Sequence, residues 1–240
     1  MLRRSLIIEM KKWIQILGCI LLVLSVSQLQ AQYGVRATYN LNHAPSWEDF
    51  FQTLDSRNTD LFASSLSFEV DYWLRLPNHR IEFYPYLSYH QANSEIWTND
   101  QLTTTPQTVG LRQLGAGLIS HIYIFDLIGD CDCPTFSKQG GFFKKGFFIL
   151  GGIGVVHSDK RISDNFDDGN LDFSARLGAG IDIGLTDLIT ISPFAQVQYF
   201  PSVSWHELGA TFQTTPEHIE SSLGQLQFGI RVGFRPDYGR

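Results

Sequence analysis

From Tyr33 to Phe234 the chain alternates between apolar and polar residues with a period of two, in repeated segments of roughly nine to eleven residues. Successive side chains of an extended strand point to opposite faces, so each such segment is a strand with one greasy and one polar face. The last segment shows the pattern: Leu226, Phe228, Ile230, Val232 and Phe234 alternate with Gln225, Gln227, Gly229, Arg231, Gly233 and Arg235. Charges therefore sit inside strands, and helical spacing is nearly absent.

Equivalent segments are Tyr33-Val35-Ala37-Tyr39-Leu41, Leu66-Phe68-Val70-Tyr72-Leu74-Leu76, Ile81-Phe83-Pro85-Leu87-Tyr89 and Leu114-Ala116-Leu118-Ser120-Ile122. A Gly-rich stretch at 146–157 has no clear face. Phe173-Ala175-Leu177-Ala179-Ile181-Ile183 and Ile189-Ile191-Pro193-Ala195-Val197-Tyr199 follow, and with 226–234 the segments number eight. Pro85 and Pro193 each lie mid-strand beside an aromatic, where the missing N–H marks a bulge or irregular pairing. Connections 42–64, 92–108, 158–170 and 201–222 read as long loops. Those at 77–80 and 186–188 read as tight turns, so long and short connections segregate to opposite ends, apart from 126–145.

Eight antiparallel strands close into the smallest common barrel, whose interior is just wide enough to be filled by side chains. Alternation alone leaves open which face is outside. A lipocalin-like barrel turns its apolar set inward around a ligand; a membrane barrel turns it outward to lipid. Strand length matching a tilted crossing of the hydrocarbon, aromatics near strand ends (Tyr33, Tyr39, Tyr72, Phe83, Tyr89, Tyr199) and a Gly-rich polar set favour the membrane barrel over both the lipocalin-like barrel and a periplasmic sandwich. No run of eighteen apolar residues occurs, which excludes a bundle of membrane helices. A net charge of −6 supplies no basic footprint for nucleic acid.

Residues 1–31 read as a secretory signal peptide: Arg3, Arg4, Lys11 and Lys12 precede the apolar stretch 13–26, and Leu29-Gln30-Ala31 fits a cleavage site after Ala31. Cys19 within Ile16-Leu17-Gly18-Cys19 resembles a lipoprotein box, but the apolar run continues beyond it. Met10 is an alternative start. The expected domains are the signal, 1–31, and a barrel, 32–240.

The start Gln32-Tyr33-Gly34-Val35-Arg36-Ala37, the eight alternating segments and the closing Phe228-Gly229-Ile230-Arg231-Val232-Gly233-Phe234 resemble the small outer-membrane β-barrel proteins of the OmpA/OmpX type found in Bacteroidota. That resemblance implies an eight-stranded antiparallel up-and-down barrel in the cell outer membrane, with short periplasmic turns and longer external loops. It also implies outer-membrane lipid and lipopolysaccharide as surroundings, and the barrel-assembly machinery as the reader of the last strand.

The inward set is read as Arg36, Glu69, Asp71, Arg75, Glu82, Arg112, Arg176, Asp182 and Arg231, nearly balanced in sign and expected to pair as a structural network. Cys131 and Cys133 form a possible disulfide or redox pair on the short-turn rim. The outer loops are acidic, and Trp47, Trp97 and Trp205 read as interfacial anchors. Asp164-Asn165-Phe166-Asp167-Asp168-Gly169-Asn170 lacks calcium-loop spacing and reads as turn chemistry. For a serine hydrolase the candidates are His90, His157-Ser158-Asp159 and His206-Glu207, but His157 and Ser158 point to opposite faces of a strand. The reading is a non-enzymatic structural or surface-interaction protein without cofactor, metal or open pore. A lipid-modifying enzyme, a narrow transporter and a soluble ligand binder are the alternatives, with the surface ligand unidentified.

Overall fold

The structure, a computed structural model, describes residues 32–54, 61–76, 79–100, 103–125, 146–162, 167–186, 188–206, 208 and 219–234. The signal segment and Cys131 and Cys133 lie outside the described residues, as do most of 163–168 and the end beyond Phe234. Ten strands follow in chain order: β1 (Tyr33–His43), β2 (Ser64–Tyr72), β3 (Leu74–Arg75), β4 (Ile81–Asp100), β5 (Thr103–Ile122), β6 (Phe147–Ile162), β7 (Asp167–Ile181), β8 (Ile183–Gly184), β9 (Ile189–Trp205) and β10 (Ile219–Phe234). Among the described residues one helix, α1 (Pro45–Leu54), follows β1. β3 and β8 continue β2 and β7 past one-residue breaks at Trp73 and Asp182, so the ten strands make eight staves. Each stave pairs antiparallel with its sequence neighbours, and β10 pairs with both β9 and β1, closing the barrel.

The two breaks have a common cause. In β4, the ladder to β2 stops at Asp71 opposite Tyr86 and resumes at Leu74 opposite Phe83, which sets Pro85 across from the interruption. In β9, the ladder to β7 stops at Gly180 opposite Phe194 and resumes at Ile183 opposite Ile191, which sets Pro193 at the matching place. Proline has no N–H to give the neighbouring stave, so pairing lapses there. On its other side each proline keeps regular register, Pro85 with Leu118 and Pro193 with Ile230.

Rows of large apolar side chains cover the outer wall of the lower barrel. Val35, Phe68, Val70, Leu87, Leu118, Ile153, Phe173, Leu177, Val197, Ile230 and Val232 are all exposed. On β1 this set runs from Tyr33 to Leu41; at about 3.3 Å rise and about 40° tilt it spans roughly 20 Å, close to the apolar band of a membrane barrel. Tyr39, Tyr89 and Tyr199 stand at its upper edge, and Tyr33, Phe125 and Phe234 at its lower edge. Water does not tolerate so large a continuous apolar surface on a monomer, whereas acyl chains do. The lipocalin-like alternative, which needs these rows inside, fails on this observation.

Three expectations are corrected. Residues 92–100, 103–108, 158–162 and 167–170 are strand rather than loop: β4 and β5 pair without interruption from Ile81 with Ile122 to Asp100 with Thr103, β6 reaches Ile162 and β7 begins at Asp167. Above the belt the apolar residues turn inward, so Ala92, Ile96, Val109, Leu111, Val156, Phe200 and Val203 are buried. Trp47 and Trp205 are not anchors: both are almost wholly buried and pack edge to face at 5.4 Å.

Candidate functional site

The lumen is built in layers from the inward half of each stave. Among the described residues ten charged side chains are buried, five basic (Arg36, Arg80, Lys160, Arg176, Arg231) and five acidic (Glu69, Asp71, Glu82, Asp172, Asp182). An unpaired charge in such a place costs several kcal/mol or more, and ion pairs together with hydrogen bonds to hydroxyls and a carbonyl meet that requirement for most of them. Asp71 lies between two guanidiniums: Arg231 donates from Nε at 2.9 Å and from Nη2 at 2.7 Å, and Arg36 donates from Nε at 3.2 Å. Arg176 Nη1 donates to Glu69 Oε1 at 2.5 Å. The Tyr123 hydroxyl stands 2.8 Å from Glu82 Oε2 and 2.5 Å from Asp182 Oδ2. Tyr84 donates to Glu82, and Ser192 to Asp182 at 2.5 Å.

Aromatic rings fill the space between these charges. Arg231 lies 4.5 Å over the Tyr84 ring, Arg176 4.4 Å over Tyr86 and Arg80 4.4 Å over Tyr123, each contact worth about 0.5–2 kcal/mol. His121 stacks on Phe148 at 3.9 Å with the rings 7° from parallel. Glycines on neighbouring staves make room for these groups. A Cβ at Gly34 would strike the Arg231 guanidinium and Asp71 Oδ1, so the absence of a side chain on β1 lets the Arg231–Asp71 pair reach from β10 to β2. Gly117 and Gly154 likewise clear the Tyr86 hydroxyl.

The structure thus places Arg36, Glu69, Asp71, Glu82, Arg176, Asp182 and Arg231 in one lumen. Arg75 is known only by its backbone, paired with Glu82. Arg112 is a correction. It shares parity with Leu114 on β5 and points outward, where its side chain is half exposed and bound to Asp159 at 2.7 Å. Its charge suggested the lumen; its position in the alternation dictates the wall.

Above these charges lies a layer of neutral polar residues. His90 Nε2 lies 2.6 Å from Ser65 Oγ, and His90 Nδ1 lies 2.7 Å from Gln113 Oε1. Gln113 in turn donates to Ser158 Oγ at 3.1 Å. This is the bonding order of a nucleophile, base and orienting group, and the register of β2, β4 and β5 brings it together where sequence spacing does not show it. The lumen cavity beside His90 holds only about 10 Å³, too little for a substrate. Of the other hydrolase candidates, His157 faces out toward Asp159 at 3.0 Å while Ser158 is buried in the lumen, and Glu207 lies outside the described residues.

Over this layer sits an apolar cap. Trp47 and Phe51 of α1 drop into the mouth of the barrel against Trp205, Phe200, Leu208 and Leu223, with Phe62 and Leu61 beside them. Pro45 opens the helix at a position whose N–H has no helical partner. The Ala44 N–H donates to Glu48 Oε1 at 2.8 Å, and Ser46 N–H donates to Ser221 Oγ on β10 at 3.2 Å. Lys160, wholly buried at this level, donates to the Ser204 carbonyl at 2.5 Å. Among the described residues no group of three or more metal-ligating side chains occurs.

No protein-family model matches the chain, and no curated protein matches it in sequence. Several solved structures are similar to it. Neisserial surface protein A shares 11% identity at a TM-score of 0.44, covering 85% of this chain and 96% of its own. Ail, the attachment invasion locus protein of Yersinia pestis, in complex with the heparin analogue sucrose octasulfate, shares 12% at 0.41, over 86% of this chain and 100% of its own. A major outer membrane protein of Thermus thermophilus shares 11% at 0.43, over 85% and 99%.

Proposed function

We propose that this chain is an integral outer-membrane β-barrel that serves as a structural or surface-interaction protein and conducts nothing. The observation that carries the reading is the inversion of its sides: aliphatic rows outside, paired charges inside, and a plug of aromatic residues across the external mouth. Lipid on the outside accounts for the first. The second and third support a lumen that carries no current: charges of the lumen are held by ion pairs and hydrogen bonds to one another and to Tyr and Ser hydroxyls, and the cap is built of apolar side chains. What remains for the surroundings is the external extension, a rigid rim of paired strands closed by α1. A barrel of this kind serves as a fixed platform, and recognition falls to the surface of that rim.

The test is conductance and insertion together. Folded protein in planar bilayers gives no stable single-channel steps, while its gel mobility shifts on heating as expected for a closed barrel. A stable open pore contradicts the reading.

A further inference from the structure

On the outer wall, directly above the apolar belt, β4, β5 and β6 form a cleft of about 140 Å³ lined by Tyr89, Gln91, Asn93, Gly110, Arg112, Asp159 and Arg161. Its depth in the membrane follows from the outward rows. On β4 Leu87 and Tyr89 give way to Gln91 and Asn93; on β5 Leu118 and Leu114 give way to Arg112 and Gly110; on β6 Ile153 and Val155 give way to His157, Asp159 and Arg161. All three staves change from lipid-facing to polar at one level, the level of headgroups.

Gly110 makes the cleft. It stands between Asn93 and Arg161 in register, and a Cβ there would lie 3.2 Å from Asn93 Oδ1 and 3.9 Å from the Arg161 Cβ, so any larger side chain occupies the space. The lining is oriented. Asp159 Oδ2 accepts from both Nε (3.0 Å) and Nη2 (2.7 Å) of Arg112, which fixes that guanidinium, and Oδ1 faces His157 Nε2 at 3.0 Å. Both carboxylate oxygens are therefore engaged. Tyr89 donates to Gln91 Oε1 at 2.7 Å, which sets the amide with its N–H groups turned away from the ring.

We propose that this cleft binds a phosphate monoester carried on the headgroup of an outer-leaflet lipid. Arg112, Arg161, Gln91 and Asn93 line one cavity beside Asp159, and guanidinium and amide N–H groups are donors suited to the oxygens of a phosphate. A monoester presents three such oxygens, a diester two. The position excludes most other anions: the belt below admits only acyl chains, and the outward row of β4 continues to Glu95 above. The inference rests on the membrane-barrel reading.

The test uses full-length mature protein folded into phosphatidylcholine vesicles that contain, mole for mole, either phosphatidic acid, a monoester, or phosphatidylglycerol, a diester. A third arm adds inorganic phosphate to plain phosphatidylcholine. Thermal unfolding is followed by loss of the compact gel form. At saturating lipid, phosphatidic acid raises the midpoint by about 5–10 °C over phosphatidylglycerol. The gain is lost both in the double variant Arg112→Gln, Arg161→Gln and in Gly110→Val, which keeps the charges and fills the space. Equal midpoints in the two anionic lipids, an undiminished gain in the variants, or an equal effect of inorganic phosphate overturns the proposal alone. Failure to insert into any of the vesicles overturns the membrane reading and this proposal with it.

Discussion

Asp71 and Asp159 both bind arginine at 2.7 Å, yet the two pairs differ in worth because their surroundings differ. Asp71 has no exposed side-chain surface and binds two guanidiniums in a closed lumen. Asp71→Asn leaves a buried excess of positive charge and is expected to cost about 3–5 kcal/mol. Asp159 pairs at the wall with an arginine that is half in water, and Asp159→Asn is expected to cost less than about 1 kcal/mol. Urea titration of the two variants in vesicles, followed by the heat-modifiable gel shift, measures both; similar midpoints for the two contradict the lumen account. The same scale explains the misplacement of Arg112. A charged residue in a membrane strand suggests the interior, but facing is decided by parity, and Arg112 stands two residues from Leu114, so it follows that residue outward. Phe62 illustrates the reverse kind of limit. Its φ of 58° is a left-handed conformation rare for an aromatic, tolerated where its buried ring packs in the cap, and nothing in local sequence announces it.

At the scale of elements, the staves were legible and the cap was not. Alternation located the eight staves, and Pro85 and Pro193 foretold the two lapses in pairing, because both are consequences of backbone geometry that a sequence carries directly. The cap depends on which solvent meets the outside. Within the bilayer the outward row of a stave is apolar; above it the outside is water and the inward row is apolar, so Leu111 and Val109 turn to the lumen without any break in the alternation. A rule that equates apolar with outward fails at that level, and it is there that strand was read as loop. Trp47 and Trp205 belong to this upper core. Trp47→Ala and Trp205→Ala are each expected to cost about 3–5 kcal/mol of cap stability while leaving the belt and the Asp71 pairs intact. Limited proteolysis of protein in vesicles checks this: the variants are cut faster in the region of α1 than wild type, while the β-sheet signal in circular dichroism is unchanged. Loss of that signal in either variant shows that cap and barrel fold as one unit.

At the scale of the whole molecule, the barrel resolves two solvents with one pattern. Lipid holds the aliphatic rows, the lumen holds equal numbers of opposite charges among its described residues, and the rim above the membrane packs as a water-soluble barrel does. Nitroxide labels on a cysteine-free background test this division most directly. Val70→Cys, Leu177→Cys and Val197→Cys place the label on the outer face of three staves, and collision rates with oxygen and with a water-soluble nickel complex are compared for protein in vesicles. The account predicts frequent oxygen collisions and few nickel collisions at all three positions. Labels there that meet the nickel complex as freely as a label on exposed Asp49 would show that these rows face water, and that the barrel does not span a bilayer.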